Sequence, residues 1–290
     1  MFVAVASGKG GTGKTTLATS LALALAGEQM VQFLDCDVEE PNGHLFLKPV
    51  WVRQEPVTVT VPRVDPVKCT LCGRCAEVCA YHALVVLPGE VLTFPELCHS
   101  CGGCWYFCPE GAVTPVRREI GWIEEGVTGE IEFVQGRLKV GVAISPPLIQ
   151  AVKERCSPEA AVIADVPPGT SCPVIKAVEG ADFCLLVTEP TPFGLHDLEL
   201  AAEMIRALNI PGGVVVNRSD GKDVDVERFC RRRGLPLLWR LPLDREIAVG
   251  YARGLSLVAV RPQLKKDLLA LWEACAKMAR QERNFAGVRA

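Results

Sequence analysis

Two kinds of residue in this chain are spaced for chemistry: cysteines in two matching groups, and lysines in a glycine-rich turn. Eight of the fourteen cysteines fall between positions 69 and 108, as "CTLCGRCAEVC" and "CHSCGGCWYFC", each reading C-x2-C-x2-C-x3-C. Three thiolates at that spacing can wrap three corners of a cubane [4Fe–4S] cluster, and the fourth, thrown further on, ligates a second cluster. The crossed assignment puts Cys69, Cys72, Cys75 and Cys108 on one cluster, and Cys98, Cys101, Cys104 and Cys79 on the other. Structural zinc, the competing reading, normally takes two C-x2-C pairs set well apart. Pro109 follows the second group as the pattern expects, whereas Ala80 follows the first. Trp105, Tyr106 and Phe107 fit two readings equally, a shield that keeps water from the clusters and helps set their potential, or packing alone.

The second constellation is "ASGKGGTGKTTLATSLALALAG", residues 6–27. Gly8, Gly13, Lys14 and Thr15 complete G-x-x-x-x-G-K-[ST], with an apolar run before them and a helical pattern after. In that context the backbone N–H groups of Gly8, Gly10, Gly11, Thr12, Gly13, Lys14, Thr15 and Thr16 cradle phosphates at a helix N-terminus. Lys14 neutralises the β- and γ-phosphates, and the Thr15 hydroxyl is offered to Mg²⁺. Lys9 is one lysine more than this pattern needs. A secretory leader is the rival reading of the same stretch. A strand to Ala6, a turn, and a helix over 15–26 stopped by Gly27 account for more of its residues.

Bulk properties narrow the class. With 31 Lys and Arg against 34 Asp and Glu, the formal charge is −3, which argues against nucleic acid as the main partner. The basic run Arg231–Arg233 before Gly234 reads as a helix end. Disulfide scaffolds are short and poor in core, unlike 290 residues with 49% hydrophobic content. Metal ligation in a reducing compartment fits the cysteines better, and no apolar run reaches the ~20 residues of a membrane span. The cytoplasm is the expected location.

Elements must hold these groups in place. Apolar runs at 2–6, 31–35, 161–165, 183–188, 213–217 and 236–241 read as strands of a parallel sheet covered on both faces. Segments such as 194–209 carry helical spacing between them. The expected fold is a doubly wound α/β sheet, mostly parallel, with ligands at the carboxyl ends of the strands. The rhythm breaks between 58 and 136. That stretch is read as an inserted α+β domain, entered and left by a β-ribbon and including the period-two segment 129–143. The flanking residues 1–57 and 137–290 form the nucleotide domain.

With Lys9 included, the loop reads G-K-G-G-T-G-K-T-T. It resembles the deviant Walker A motif of the MinD/ParA/nitrogenase-iron-protein ATPases, a likeness covering most of the chain outside the insertion. The resemblance implies that Lys9 reaches across a dimer interface to the partner's nucleotide. "FLDCDVEEPN" resembles the family's switch I, with Asp37 orienting the attacking water and contributing to the Mg²⁺ site, and Asn42 in the same segment. "IADVPPGTS" resembles switch II, with Asp165 holding Mg²⁺ through water and Gly169 sensing the γ-phosphate. Asn217, in "NRSD", stands where the family reads adenine; the tetrapeptide also resembles the guanine motif N-K-x-D, with Arg218 in place of its lysine. ATP is favoured over GTP.

Residues 64–118 resemble bacterial two-cluster ferredoxins. Together the two likenesses imply an ATP- and Mg²⁺-dependent ATPase carrying two [4Fe–4S] clusters. It would pair with a second copy when ATP binds, or with a paralogue, and meet a redox or cluster-accepting protein. Three functions compete: nucleotide-gated electron transfer, which the complete ligand set favours; an ATP-dependent scaffold or carrier of clusters, as in the related Mrp-type proteins; and a positioning ATPase like ParA and MinD. Cys172, three residues past Gly169, is open to exposure if switch II moves. The C-terminal stripe Leu264, Leu268, Leu271, Trp272, Cys275 and Met278 is expected to pack on the sheet rather than touch a membrane.

Overall fold

A computed structural model describes residues 1–287. In chain order the elements are β1 (Phe2–Ala6), α1 (Lys14–Leu25), β2 (Val31–Asp35), α2 (Gly43–Leu47), β3 (Val50–Val64), α3 (Arg74–Glu77), β4 (Leu84–Leu87) and β5 (Glu90–Thr93). Then come α4 (Gly103–Tyr106), β6 (Val113–Thr128), β7 (Ile131–Leu138), α5 (Pro146–Lys153), β8 (Ala161–Asp165), α6 (Cys172–Val178), β9 (Phe183–Thr188) and α7 (Pro192–Ala207). The chain continues through β10 (Gly212–Ser219), α8 (Val224–Arg233), β11 (Leu237–Pro242), α9 (Arg245–Ala252), α10 (Leu257–Val260) and α11 (Leu264–Gly287).

Nine strands form one sheet in the order β11-β10-β9-β1-β8-β2-β7-β6-β3. From β11 to β7 every pairing is parallel, and β6 and β3 add an antiparallel edge. β1, β2, β8 and β9 are buried almost throughout, so their Val, Ile, Leu and Ala runs serve two cores at once. One face packs on Leu148, Ile149, Val174, Leu198 and Phe229 from α5 to α8. The other packs on Leu17 and Leu21 of α1 and on Leu268, Leu271, Trp272 and Cys275 of α11. The C-terminal apolar stripe is therefore spent on the core.

The edge of the sheet explains the broken rhythm. β3 and β6 pair along their whole lengths, but β7 covers only Gly121–Thr128 of β6. The rest of the ribbon stands beyond the sheet, and residues 65–112 with all eight grouped cysteines sit at its tip, closed by Asp65 N–H donating to Ala112 O at 2.8 Å. The boundaries expected at 58 and 136 fall inside β3 and β7. The period-two segment 129–143 is more than ribbon: Ile131–Gln135 of β7 pair in parallel with Val31–Asp35 of β2, while its other edge pairs antiparallel with β6, so it lies inside the main sheet. Glu130 and Glu132 give that segment the look of a half-exposed strand, yet Val134 and Gly136 lie buried, and a Cβ on Gly136 would meet Val152 of α5 at 2.9 Å.

The tip repeats itself. Leu71 and Ser100, Gly73 and Gly102, and His82 and Gly111 hold matching positions in the two cysteine groups, and all six have positive φ. Each group folds its third and fourth cysteines around one short helix, α3 or α4. The core of the tip is small: Val61, Ala83, Leu84 and Val113 with Cys75, Cys98 and Cys104.

Candidate functional site

The loop from Ser7 to Gly13 joins β1 to α1 at the carboxyl end of the sheet, and two of its glycines are dictated by space. A Cβ on Gly8 would lie 2.2 Å from the backbone oxygen of Asp197. Gly13 has φ 93°, left-handed, and a Cβ there would meet Asn217 Nδ2 at 2.3 Å. That closeness is used: Asn217 Nδ2 donates to Thr12 O at 2.7 Å, pinning the loop to the end of β10. Arg218 N–H donates to Asn217 Oδ1 at 2.9 Å, which leaves the amide one N–H and one lone pair for a ligand. Gly10 has open space around its Cβ position, so the fold alone does not demand a glycine there. Gly11 faces open space too, although its backbone is left-handed. Gly169 N–H donates to Ser7 O at 3.0 Å and ties the segment after β8 to the loop.

Charge converges on the start of α1. Lys14 is 6% exposed, and burial pushes its pKa down against the pull of Asp165 and Asp37. Thr15 Oγ1 donates to Asp165 Oδ2 at 2.5 Å, while Asp165 Oδ1 is buried with no hydrogen-bond partner. Burial raises Asp165 to about 7, opposed by the Thr15 hydrogen bond and by Lys14. Asp37 is raised to about 6, again chiefly by burial. The Thr12 hydroxyl is likewise buried without a partner, and Thr16 is buried within α1.

A third carboxylate was passed over in the sequence. Asp35, fully buried at the end of β2, accepts from Gly43 N–H at 2.9 Å and from Asp37 N–H at 3.2 Å. It straps the 36–43 loop to the strand, and burial together with the Asp165 charge raises its pKa well above the ordinary value. Its signal was present: a carboxylate closing the otherwise buried run "VQFLD". Asp165 and Asp37 thus face Lys14, Asp35 adds its charge beside Asp165, and one Asp165 oxygen is orphaned among them. A hard cation with oxygen ligands fits that imbalance. Lys9 lies on the outer side of the loop, its Nζ 3.5 Å from Glu189.

The cysteine tip holds a different donor set. Cys69, Cys72, Cys75 and Cys108 line a single cavity together with Leu71, Val91 and Val113. Burial raises the Cys75 thiol, with Cys69 and Cys108 adding to it, and raises Cys104 to about 11, with Cys98 and Cys101 beside it. Backbone N–H groups of Ala83, Ser100 and Ala112 donate to the sulfurs of Cys79 (3.3 Å), Cys98 (3.4 Å) and Cys108 (3.3 Å). Among the described residues, no three His, Cys, Asp or Glu side chains converge tightly enough to hold a single metal ion. Cys69, Cys72, Cys75 and Cys108 around one space, with the Ala112 N–H on the Cys108 sulfur, would suit a cluster, whose iron would take the four as thiolates. The aromatic expectation is corrected in part. Trp105 packs against the small core, but Tyr106 and Phe107 are 81% and 55% exposed, because the single turn of α4 turns them to solvent. Cys172 is exposed at the start of α6, while Cys184 and Cys275 are core residues.

A parallel sheet whose first strand runs through a glycine loop into a lysine–threonine helix start is a P-loop nucleotide-binding architecture. The chain belongs to the CobQ/CobB/MinD/ParA nucleotide-binding domain family, whose profile matches residues 3–258. An uncharacterized protein of Methanocaldococcus jannaschii is 33% identical over 278 residues, covering 94% of this chain and 95% of that protein. An iron-sulfur cluster carrier protein of Pyrococcus abyssi is 25% identical, covering 88% of this chain and 78% of its own length. Among solved structures, the septum site-determining protein MinD of Pyrococcus horikoshii, complexed with Mg-ADP, superposes with a TM-score of 0.58 at 19% identity, over 99% and 98% of the two chains. Among the described residues no helix is long and apolar enough to cross a membrane.

Proposed function

We propose that this chain is an MgATP-hydrolysing iron–sulfur protein in which nucleotide-driven pairing of two copies gates electron transfer through two resident [4Fe–4S] clusters. The observation carrying the cluster half is the cavity walled by Cys69, Cys72, Cys75 and Cys108, a set that brings the last cysteine of the second group to the first three of the other. Cys98, Cys101, Cys104 and Cys79 are the matching set. When bound, the clusters supply one-electron chemistry at low potential. The chain's contribution is to bury Cys75, Cys98 and Cys104 and to direct three N–H donors at sulfur.

At the loop, Lys14 and the N–H groups of Gly8–Thr16 would hold the phosphates, and Thr15, Asp37 and Asp165 would hold the Mg²⁺, which supplies charge neutralisation there. Asp37 orients the attacking water, Gly169 senses the γ-phosphate, and Asn217 contacts the base. Lys9 reaches the triphosphate of the partner copy, where charge develops during transfer. Free cysteines in such number suit a reducing compartment such as the cytoplasm.

Cluster delivery to an acceptor is the second reading, favoured by the likeness to iron-sulfur cluster carrier proteins. One experiment separates the two. Anaerobically purified protein is mixed with MgATP and an apo-ferredoxin acceptor while iron is followed on each. Gating predicts that the iron stays with this chain through many turnovers; iron leaving in step with hydrolysis overturns gating in favour of delivery.

A further inference from the structure

Lys9 does not hang free in solvent. Its backbone is fixed, with Ser7 Oγ donating to Lys9 O at 2.6 Å, and its Nζ lies 3.5 Å from Glu189 Oε2. Glu189 follows β9, with a side chain only 12% exposed, and such a carboxylate needs compensation. It has two cations. Arg218, on β10, hydrogen-bonds Oε1 through Nη1, while Lys9 stands beside Oε2 at a distance beyond a hydrogen bond. Arg218 by itself neutralises Glu189, so Lys9 is the surplus and weaker-held partner, on a loop side chain that can swing away.

We propose that Glu189 is the positioning residue of Lys9: it holds the lysine against its own chain until a second copy arrives, and Arg218 keeps that hold weak enough to break. This rests on the reading of Lys9 as a group that acts on the partner's nucleotide. Pairing then exchanges two Lys9–Glu189 contacts for two Lys9–phosphate contacts. Glu189 is not stranded by the exchange, because Arg218 stays.

The two neighbours therefore act with opposite signs. Glu189→Gln removes the competing anion, frees Lys9 and favours pairing. Arg218→Gln leaves Lys9 as the only cation on a buried carboxylate, tightens the hold and disfavours pairing. Since the contact is long and its lysine a third exposed, each is weak; each pairing breaks two of them, and the expected shift is about three- to tenfold in either direction. Salt shrinks both shifts.

The test is analytical ultracentrifugation of the full chain with its clusters, at rising protein concentration with Mg²⁺ and a non-hydrolysable ATP analogue, for the wild type, both variants and the double variant. Analogue affinity is measured separately with a fluorescent nucleotide. The proposal expects a lower dimer dissociation constant for Glu189→Gln, a higher one for Arg218→Gln, and a double variant resembling Glu189→Gln. Shifts in the same direction, as general damage to the loop gives, overturn it; so does a Glu189→Gln protein that pairs like the wild type. Lys9→Ala run alongside distinguishes the failures. If it hydrolyses ATP normally, the reading of Lys9 itself falls, whereas a dead Lys9→Ala with an unshifted Glu189→Gln removes only the role of Glu189.

Discussion

Replacing Asp165 by Asn should make the nucleotide-free protein more stable at neutral pH and at the same time useless to Mg-nucleotide. Asp165 is buried and raised from 3.8 to about 7, so in the folded chain it keeps its proton long after the unfolded chain has lost it. The sign follows from proton counting. A carboxyl raised on folding contributes stability that is full below pH 3.8 and is lost as pH climbs to about 7. The loss is about 4 kcal/mol over that range. Asn keeps an oxygen for the Thr15 hydroxyl and has no proton to lose. Relative to the wild type, the variant should gain little at pH 4 and most of about 4 kcal/mol by pH 7.5. For a chain this long that is a difference of roughly 8 °C in Tm. Thermal unfolding monitored by circular dichroism from pH 4.5 to 8, with and without MgADP, reads both halves. Saturating MgADP, at about a hundred times its Kd, should restore about 2.7 kcal/mol to the wild type and nothing to the variant. A variant with the wild-type pH slope, or one that MgADP still stabilises, refutes the assignment of Asp165 as the buried, cation-dependent carboxylate.

Other perturbations report on separate parts of the molecule. Lys9→Ala should lower MgATP turnover by roughly 10³-fold or more while nucleotide affinity changes little, checked by phosphate release and fluorescent-nucleotide titration. Gly13→Ala puts a Cβ into Asn217 at a left-handed position and should cost about 2–3 kcal/mol in stability as well as nucleotide affinity, checked by urea unfolding. Cys108→Ser and Cys75→Ser should each lose roughly half the iron and leave the same residual electron paramagnetic resonance spectrum, whereas Cys104→Ser leaves the other one. A Cys108 variant that instead matches Cys104→Ser contradicts the crossed ligand sets.

Much of this was legible in residue order because local and global signals agree. The strands at 2–6, 31–35, 161–165 and 183–188 coincide with β1, β2, β8 and β9, since strands buried on both faces leave unbroken apolar runs. The loop was legible because space and backbone shape demand glycine at Gly8 and Gly13, with the lysine and threonine at the helix start that follows. β7 was not: its glutamates suggest a half-exposed ribbon strand, and only the sheet order reveals it between β2 and β6. Asp35 was missed because one carboxylate at a strand end looks like an exposed terminus until Gly43 and Asp37 are seen to donate to it. The Lys9–Glu189–Arg218 contacts join three distant segments and have no signature in spacing. Tyr106 and Phe107 show the converse: apolar residues beside ligands suggested a shield, and the direction of a one-turn helix decided otherwise.

The central claim is that nucleotide-driven pairing is felt by the iron centres at the ribbon tip. Its most direct test is a potentiometric titration of the anaerobic protein, following cluster reduction with Mg²⁺ alone, with MgADP and with a non-hydrolysable MgATP analogue. The account predicts a midpoint displaced by about 60 mV, tenfold in the reduction equilibrium, with the analogue and not with MgADP. It also predicts that Lys9→Ala abolishes the displacement. Identical midpoints in all three conditions, in protein that binds the analogue and retains its iron, would contradict it.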